Sequence, residues 1–409
     1  MKEKHVRTTT FGRALALGAI AALALGGCGN SASTTNNAAA KSSGFVPPPL
    51  KALDKLGTPE GTVNVLAWPG YVEDGSNDKS VDWVTDFEKS SGCQVNIKTF
   101  GTSDEAVQLM RTGQYDTVSA SGDATLRLIA AGDVEPVNTS LITNYPDLFP
   151  ALKNKPWNSV NNVPYGIPHG RGANLLMYRT DKVSPAPDSW SVVFGGGSAY
   201  KGEVTAYDSP IYIADAALYL MRTKPELGIT NPYALDAKQL AAAVAILKAQ
   251  KANVGEYWSD YLKATQAIKA ATSVVGTTWQ VIANLAKDEK APVAAILPKE
   301  GSTGWSDTWM VAAKSKHKTC AYLLIDHLVS PKTNAQIAEY FGEAPANSKS
   351  CALTVAKDHC AIFHANDEAY FSKVFYWNTP IPQCLDGRKN VKCTDYAEWT
   401  KAWTSIRNS

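Results

Sequence analysis

The sequence predicts an α/β fold, and three observations carry that expectation. Strand-like and helix-like segments alternate from residue 62 to 131, the alternation resumes after an Asn- and Pro-rich interval, and 44% of the 409 residues are hydrophobic, as in an ordinary globular chain. A chain of this length has room for two or three domains and a sizeable core.

The first 27 residues are expected to be absent from the mature protein. Lys2, Lys4, Arg7 and Arg13 precede an apolar run from Ala14 to Leu25 that ends at Gly26-Gly27-Cys28. The run is too short to span a bilayer comfortably, and small residues before a cysteine resemble the lipobox at which bacterial lipoproteins are cleaved and acylated, here on Cys28. Removing residues 1–27 takes away four of the 40 basic residues and one of the 38 acidic ones, leaving 36 against 37. No basic run or pI excess survives, so nothing suggests a nucleic-acid partner. Residues 28–61 read as a flexible tether: Ser, Thr, Asn and Ala with a single charge up to Gly44, then a short stiff spacer around Pro47-Pro48-Pro49.

A first lobe is expected over 62–170. It opens with the β-rich Val63–Trp68, stopped by Pro69-Gly70. Val81, Val84 and Phe87 recur at helical spacing, Gly92 supplies a stop, and Val95–Phe100 is the next strand. Thr102 and Glu105 have capping-box spacing ahead of a helix over 106–111, Tyr115–Ala120 returns to strand, and Ser121-Gly122-Asp123 opens a helix over 124–131. Such alternation predicts a largely parallel sheet, whose ligands sit beyond the carboxyl ends of the strands, where Trp68, Tyr71, Ser121 and Asp123 fall. A second lobe, 171–300, holds strands at 173–178, 203–207, 273–279 and 293–297 and helices at 213–222 and 237–249. Residues 301–346 return the chain to the first lobe with helices at 320–328 and 334–341, and 347–409 form a cysteine-rich C-terminal segment.

The return begins with Gly301–Ala313, which sets Trp305, Asp307 and Trp309 two residues apart. On an extended segment such residues share a face, and an aromatic–carboxylate–aromatic face attracts an organic cation. The same residues also read as a buried strand starting at Trp309-Met310, with Trp305 as a capping aromatic.

Six cysteines remain beside Cys28, an even number that favours disulfides in an exported protein and allows 15 connectivities. Local pairing of Cys351 with Cys360 and Cys384 with Cys393 is the economical choice, leaving Cys93 with Cys320. Asp358, His359, Cys360 and His364 offer metal-ligand chemistry, but no C-x-x-C spacing supports a site, so neither metal nor cofactor is expected. No G-x-S-x-G, H-E-x-x-H or S-x-x-K stands in a supporting context, which argues against an exported enzyme.

Several ordered motifs carry a family resemblance over residues 62–346: Val65-Leu66-Ala67-Trp68-Pro69-Gly70-Tyr71, Phe87-Glu88 through Gly92, Arg111-Thr112-Gly113 with Tyr115-Asp116, Ser121-Gly122, Val163-Pro164-Tyr165 through Tyr178-Arg179-Thr180-Asp181-Lys182-Val183, Pro298-Lys299-Glu300-Gly301, and Trp305 with Asp307. In these the chain resembles the polyamine (spermidine/putrescine) type of extracytoplasmic solute-binding protein that serves ABC importers. The resemblance implies a two-lobed, periplasmic-binding-protein-like clamp with hinge strands near 171–178 and 298–304, an ABC permease and ATPase as partners, and a small amine as ligand. Together with the lipobox at Cys28, this makes the expected protein a monomer held by lipid on the extracytoplasmic face of the cell membrane. Carried over by position, Trp68, Tyr71, Ser121, Trp279, Trp305 and Asp307 match ligand-contacting residues. The chain departs from the pattern at Asp123 and Glu343, which replace tyrosines, at Ser209 and Tyr212 beside Asp208, which replace two carboxylates, and at Arg171, which replaces an aromatic. Asp123, Arg171, Asp208, Tyr212 and Glu343 therefore join the candidate site. Arg171 admits a zwitterion as well as a polyamine, a sugar is the rival ligand class, and a sensor lipoprotein is the rival role.

Overall fold

The structure is a computed structural model that describes residues 45–195 and 199–409. The expected signal peptide and Cys28 lie outside these residues. None of the described helices is long and apolar enough to cross a membrane.

Two α/β lobes are each built on one sheet. In the first, strand Thr62–Ala67 lies between Gln94–Thr99 and Thr117–Ala120, all parallel, and Thr308–Ala312 then pairs antiparallel with Thr117–Ala120. The connections are the helical stretches expected: Thr102 accepts the Glu105 N–H at the start of helix Ser103–Met110, and Gly92 adopts a left-handed conformation that closes helix Thr85–Ser91. That helix begins at Thr85 and not near Val81, because Asp82 accepts the backbone N–H groups of Val84 and Thr85 and turns the chain in just ahead of it. The second sheet runs Val254–Trp258, Val204–Tyr207, Val275–Thr278, Leu175–Arg179 and Val293–Ile296, parallel across the first three and antiparallel at Leu175–Arg179.

The chain passes between lobes through a small sheet of its own. Gly170–Ala173 runs toward the second lobe, Ser302–Trp305 runs back, and the two pair antiparallel, Gly304 opposite Ala173 and Trp305 opposite Gly172. A third strand, Val374–Tyr376, joins them in parallel with Ser302–Gly304. The cysteine-rich segment thus contributes to the crossing, a role its sequence did not signal.

One further finding departs from expectation. The stretch 45–61, read as tether and spacer, is attached to the first lobe: Leu53 and Leu56 pack on its core, the Leu53 carbonyl accepts from Asn138, and Glu60 accepts the N–H groups of Thr319 and Cys320. Its prolines stiffen a chain that already has apolar anchors and a helix N-terminus to hold. The cysteines pair as the economical scheme had it, Cys93–Cys320, Cys351–Cys360 and Cys384–Cys393. The first of these ties strand Gln94–Thr99 to helix Lys318–Leu328, across 227 residues of sequence.

Candidate functional site: an acidic, aromatic cleft

A cavity of about 690 Å³ is lined by residues of both lobes and of the crossing segment. Parallel strands deliver most of its wall. Trp68 follows Thr62–Ala67, Ser121 precedes helix Gly122–Ala131 after Thr117–Ala120, Trp279 precedes helix Gln280–Asp288 after Val275–Thr278, and Asp260 caps helix Tyr261–Lys269 after Val254–Trp258. All four stand at strand carboxyl ends, where the turn into a helix frees a side chain to face the ligand space.

Aromatic rings form one continuous surface there. Trp68 meets Phe100 at 4.5 Å and the edge of Trp279 at 6.2 Å between centroids; Trp279 meets Tyr207 at 5.4 Å, and Tyr207 stacks on Trp377 at 5.8 Å. Trp305 lies flat against the backbone of Gly172, so close that a β-carbon at residue 172 would stand 2.5 Å from Cζ2 of the indole. Only glycine leaves that space, which accounts for the second glycine of the Gly170-Arg171-Gly172 run.

Asp307 is the centre of the polar wall. It sits where the chain leaves strand Ser302–Trp305 for Thr308–Ala312, 3% exposed, and two hydroxyls hold its carboxylate: Ser121 donates to Oδ1 at 2.6 Å and Tyr71 to Oδ2 at 2.8 Å. Among the described residues no lysine or arginine pairs with it. Burial pushes its pKa up to about 6, against the lowering effect of the two hydroxyls, with Glu343 adding to the rise. The cleft has three more carboxylates, each held by backbone N–H groups: Glu73 accepts from Gly70, Glu105 from Gly101, and Asp260 from Leu262 and Lys263.

Behind this wall lies a second polar layer. The Tyr71 hydroxyl stands 3.5 Å from Glu343 Oε2 as well as 2.8 Å from Asp307, and Glu343 Oε1 is 3.3 Å from Nε2 of His169. The His169 ring lies against Tyr71, tilted by 31° with centroids 3.8 Å apart, and Trp309 donates its indole N–H to His169 Nδ1 at 2.9 Å. Trp309 is therefore core, as the buried-strand reading had it, whereas Trp305 and Asp307 face the ligand space; the chain crosses from one sheet to another between them, so the three do not share a strand face.

Of the expected site residues, Trp68, Tyr71, Ser121, Trp279, Trp305 and Asp307 come together in the lining. Five do not, each for a visible reason. Arg171 turns to the C-terminal segment, donating to Glu368 at 2.6 Å and to the Ala365 carbonyl at 2.9 Å over the face of Phe371. Asp208 accepts from Trp403 and pairs with Arg407, both on the C-terminal helix Tyr396–Arg407. Tyr212 accepts from Gln250. Glu343 lies behind Tyr71, and Asp123 is buried in the first turn of its helix, where it accepts from Ser103 and where burial pushes its pKa up to about 7. Sequence reasoning missed Glu73, Phe100, Glu105, Asp260, Tyr261, Tyr340, Phe341 and Trp377. Asp260 follows strand Val254–Trp258, which was not among the expected strands, so the strand-end rule that found Ser121 had no strand to act on there; Trp377 has no local signal, since it reaches the cleft only because Val374–Tyr376 joins the crossing sheet.

Comparison with known proteins agrees with this architecture. Residues 82–363 match the family described as bacterial extracellular solute-binding protein. The chain is 28% identical over 290 residues to the spermidine/putrescine-binding periplasmic protein of Escherichia coli K12, covering 70% of this chain and 78% of that protein. It is 25% identical over 386 residues to the putrescine-binding periplasmic protein PotF of the same organism, covering 90% and 97%. Among solved structures it resembles a putative spermidine/putrescine ABC transporter protein from Listeria monocytogenes, with a TM-score of 0.70 at 18% identity over 85% of this chain and 99% of the other. A structure described as the Atu4243-GABA receptor is similar with a TM-score of 0.60 at 18% identity over 85% of this chain and 97% of that one.

Proposed function

The chain belongs to the bacterial extracellular solute-binding proteins, and from that premise we propose that it captures a small organic cation of the polyamine type for an ABC importer. It is a binding protein and not an enzyme. The observation that carries the ligand class is the charge of the lining: four carboxylates, Glu73, Glu105, Asp260 and Asp307, and no lysine, arginine or histidine among the 23 residues. An ammonium group placed against Asp307 would give that buried carboxylate the cation it lacks, and the methylene chain would lie on the indoles. On this reading the protein works as a monomer tethered through lipid on Cys28 to the outer face of the cytoplasmic membrane, handing its ligand to a permease and ATPase. The two lobes close on the ligand by motion at the crossing strands.

A second reading has one observation in its favour. The indole N–H groups of Trp68, Trp305 and Trp377 are buried without acceptors, and a ligand with an acceptor beside its amine, such as an amino-acid-like zwitterion, would satisfy them. Its carboxylate would have to meet these indoles, since Arg171 is already paired with Glu368.

Calorimetric titration with putrescine, spermidine, cadaverine, 4-aminobutyrate and neutral sugars tests both readings. Binding of the diamines supports the first and selective binding of 4-aminobutyrate the second. A protein that binds a sugar and ignores every amine would overturn both.

A further inference from the structure

The hydroxyl of Tyr71 stands between two buried carboxylates. It donates to Asp307 Oδ2 at 2.8 Å and lies 3.5 Å from Glu343 Oε2. Glu343 itself is fully buried and pressed against the backbone of Gly170, where a β-carbon would come within 2.6 Å of both carboxylate oxygens. Two carboxylates that share one donor repel each other, and the low dielectric around them magnifies the repulsion.

Among the described residues no lysine or arginine faces this pair, and its one basic neighbour is His169, whose charge acts against the rise at Asp307. Around Asp307 are Tyr71, Ser121 and, at longer range, Asp123 and Tyr207, another acid and another tyrosine. Around Glu343 are Tyr71 and His169, while His359 reaches only its backbone carbonyl, with Glu339 nearby. His169 stands with Nε2 3.3 Å from Glu343 Oε1, and no hydrogen bond forms between them. Its Nδ1 is occupied by Trp309, since an indole N–H can only donate and Nδ1 therefore accepts. Arg171, one residue beyond Gly170, pairs with Glu368 instead.

We propose that Asp307 and Glu343 act as one buried acid pair that holds a proton while the cleft is empty and releases it when a ligand ammonium arrives. This rests on the amine reading above and adds a regulation to it. The balance is simple: the carboxyl O–H bond breaks, its proton leaves to solvent, and an ammonium N–H takes its place as the donor to the carboxylate. An alkylammonium keeps its own proton throughout the acidic and neutral range, so the proton released comes from the protein. Burial, which holds the Asp307 carboxyl up to about 6, puts the exchange in a range the experiment can reach. Glu343 is a positioning residue here, acting on the ligand through Tyr71 and Asp307 without lining the cleft.

The sign follows from linkage. Below the pKa of the empty pair, binding must expel a proton and affinity falls about tenfold per pH unit; above it, the carboxylate is ready and affinity is flat. The test titrates putrescine, spermidine and 4-aminobutyrate into the intact protein from pH 5 to 8, in buffers of different ionisation enthalpy that count protons directly. The expected result is release approaching one proton at pH 5 and none at pH 8. Glu343→Gln removes the repelling charge and should move the midpoint of the affinity profile to lower pH; Tyr71→Phe removes a donor to the charged form and should move it up. A merely structural role would shift neither. Amine binding with no proton release at any pH, or with the midpoint unmoved in both variants, overturns the acid pair and leaves the amine reading intact. No amine binding at any pH overturns the amine reading and the pair together. If Glu343→Gln fails to fold, the wild-type proton count decides alone.

Discussion

Asp307 and Arg171 are both buried charges beside the crossing strands, and the molecule treats them in opposite ways. Arg171 finds its partners within the chain: Glu368 and the Ala365 carbonyl accept from Nη2, Nη1 donates to the Tyr376 hydroxyl at 3.4 Å, and Phe371 presents its ring face at 3.7 Å, which leaves Nε alone without an acceptor. Asp307 receives two hydroxyls and no cation. Since burying a charge is costly unless it is paired, the matched residue is structure and the unmatched one marks where a partner must come from outside. A sequence pattern cannot draw that distinction, because it shows which charges are present and not which of them have met.

The largest effect that would break this contrast is at Asp307. Asp307→Asn keeps the shape but removes the charge, and amine affinity should fall at least ~100-fold, about 3 kcal/mol, as when one partner of a desolvated ion pair is removed. Stability should move the other way. The folded protein holds the Asp307 proton more tightly than the unfolded chain, with a pKa of about 6 against 3.8. This group's contribution is therefore present below pH 4 and lost as pH rises through about 6, a difference of up to roughly 3 kcal/mol. Ligand-free Asp307→Asn should then melt a few degrees higher than wild type at pH 8 and no higher at pH 4. Equal melting temperatures at pH 8 would mean that the carboxylate is not strained by its surroundings.

Arg171→Met is the mirror experiment and should have the next largest effect. It deletes three hydrogen bonds and a cation–π contact from a buried position, but it leaves Glu368 on the surface, where its side chain is 46% exposed and can be hydrated. A loss of about 2 kcal/mol in denaturant unfolding is expected, with putrescine affinity within about threefold of wild type in the protein that remains folded. A large change in affinity at full stability would return Arg171 to the binding site.

These two residues also show how far the sequence could be read. The alternation of strands and helices, the caps at Thr102 and Gly92 and the strand-end residues Trp68 and Ser121 are local features, governed by chemistry within a few residues, and each was legible, whereas Trp279 entered through the family resemblance. Arg171, Asp208 and Tyr212 were misplaced because their partners lie elsewhere in the chain: Glu368 is 197 residues from Arg171, and Trp403 is 195 from Asp208. The C-terminal segment that supplies most of those partners shows cysteines and tryptophans in sequence but no sign that it would add a strand beside Ser302–Trp305. Glu343 is an intermediate case, since it stands near Asp307 as expected and yet faces it from behind Tyr71.

Trp305 sharpens the comparison on the aromatic side. If the cleft binds an ammonium, an indole beside Asp307 contributes through its π face, an effect of about 1–2 kcal/mol when desolvated. Trp305→Leu keeps an apolar wall and should weaken putrescine binding about tenfold by calorimetry. It should weaken a neutral ligand of the same length less, because only the cation senses the ring quadrupole. Equal losses for both would assign Trp305 to shape alone.

The smallest effect is expected at Asp208, which the family pattern placed in the site and the structure does not. Asp208 accepts from the Trp403 indole at 3.1 Å and pairs with Arg407 at 3.3 Å, with both side chains of the ion pair about one-third exposed. Pairs of that exposure contribute up to about 1 kcal/mol, since water already solvates both charges and salt screens them. Asp208→Asn retains an acceptor for Trp403 and gives up only the charge. Unfolding free energy should therefore drop by about 0.5 kcal/mol, and the drop should shrink at high salt. Putrescine affinity should stay unchanged, because the lost charge faces the C-terminal helix and not the cleft. A severalfold loss of affinity would mean that the ligand space extends past Tyr207 to that helix, and that Asp208, like Asp307, is waiting for a cation the chain does not supply.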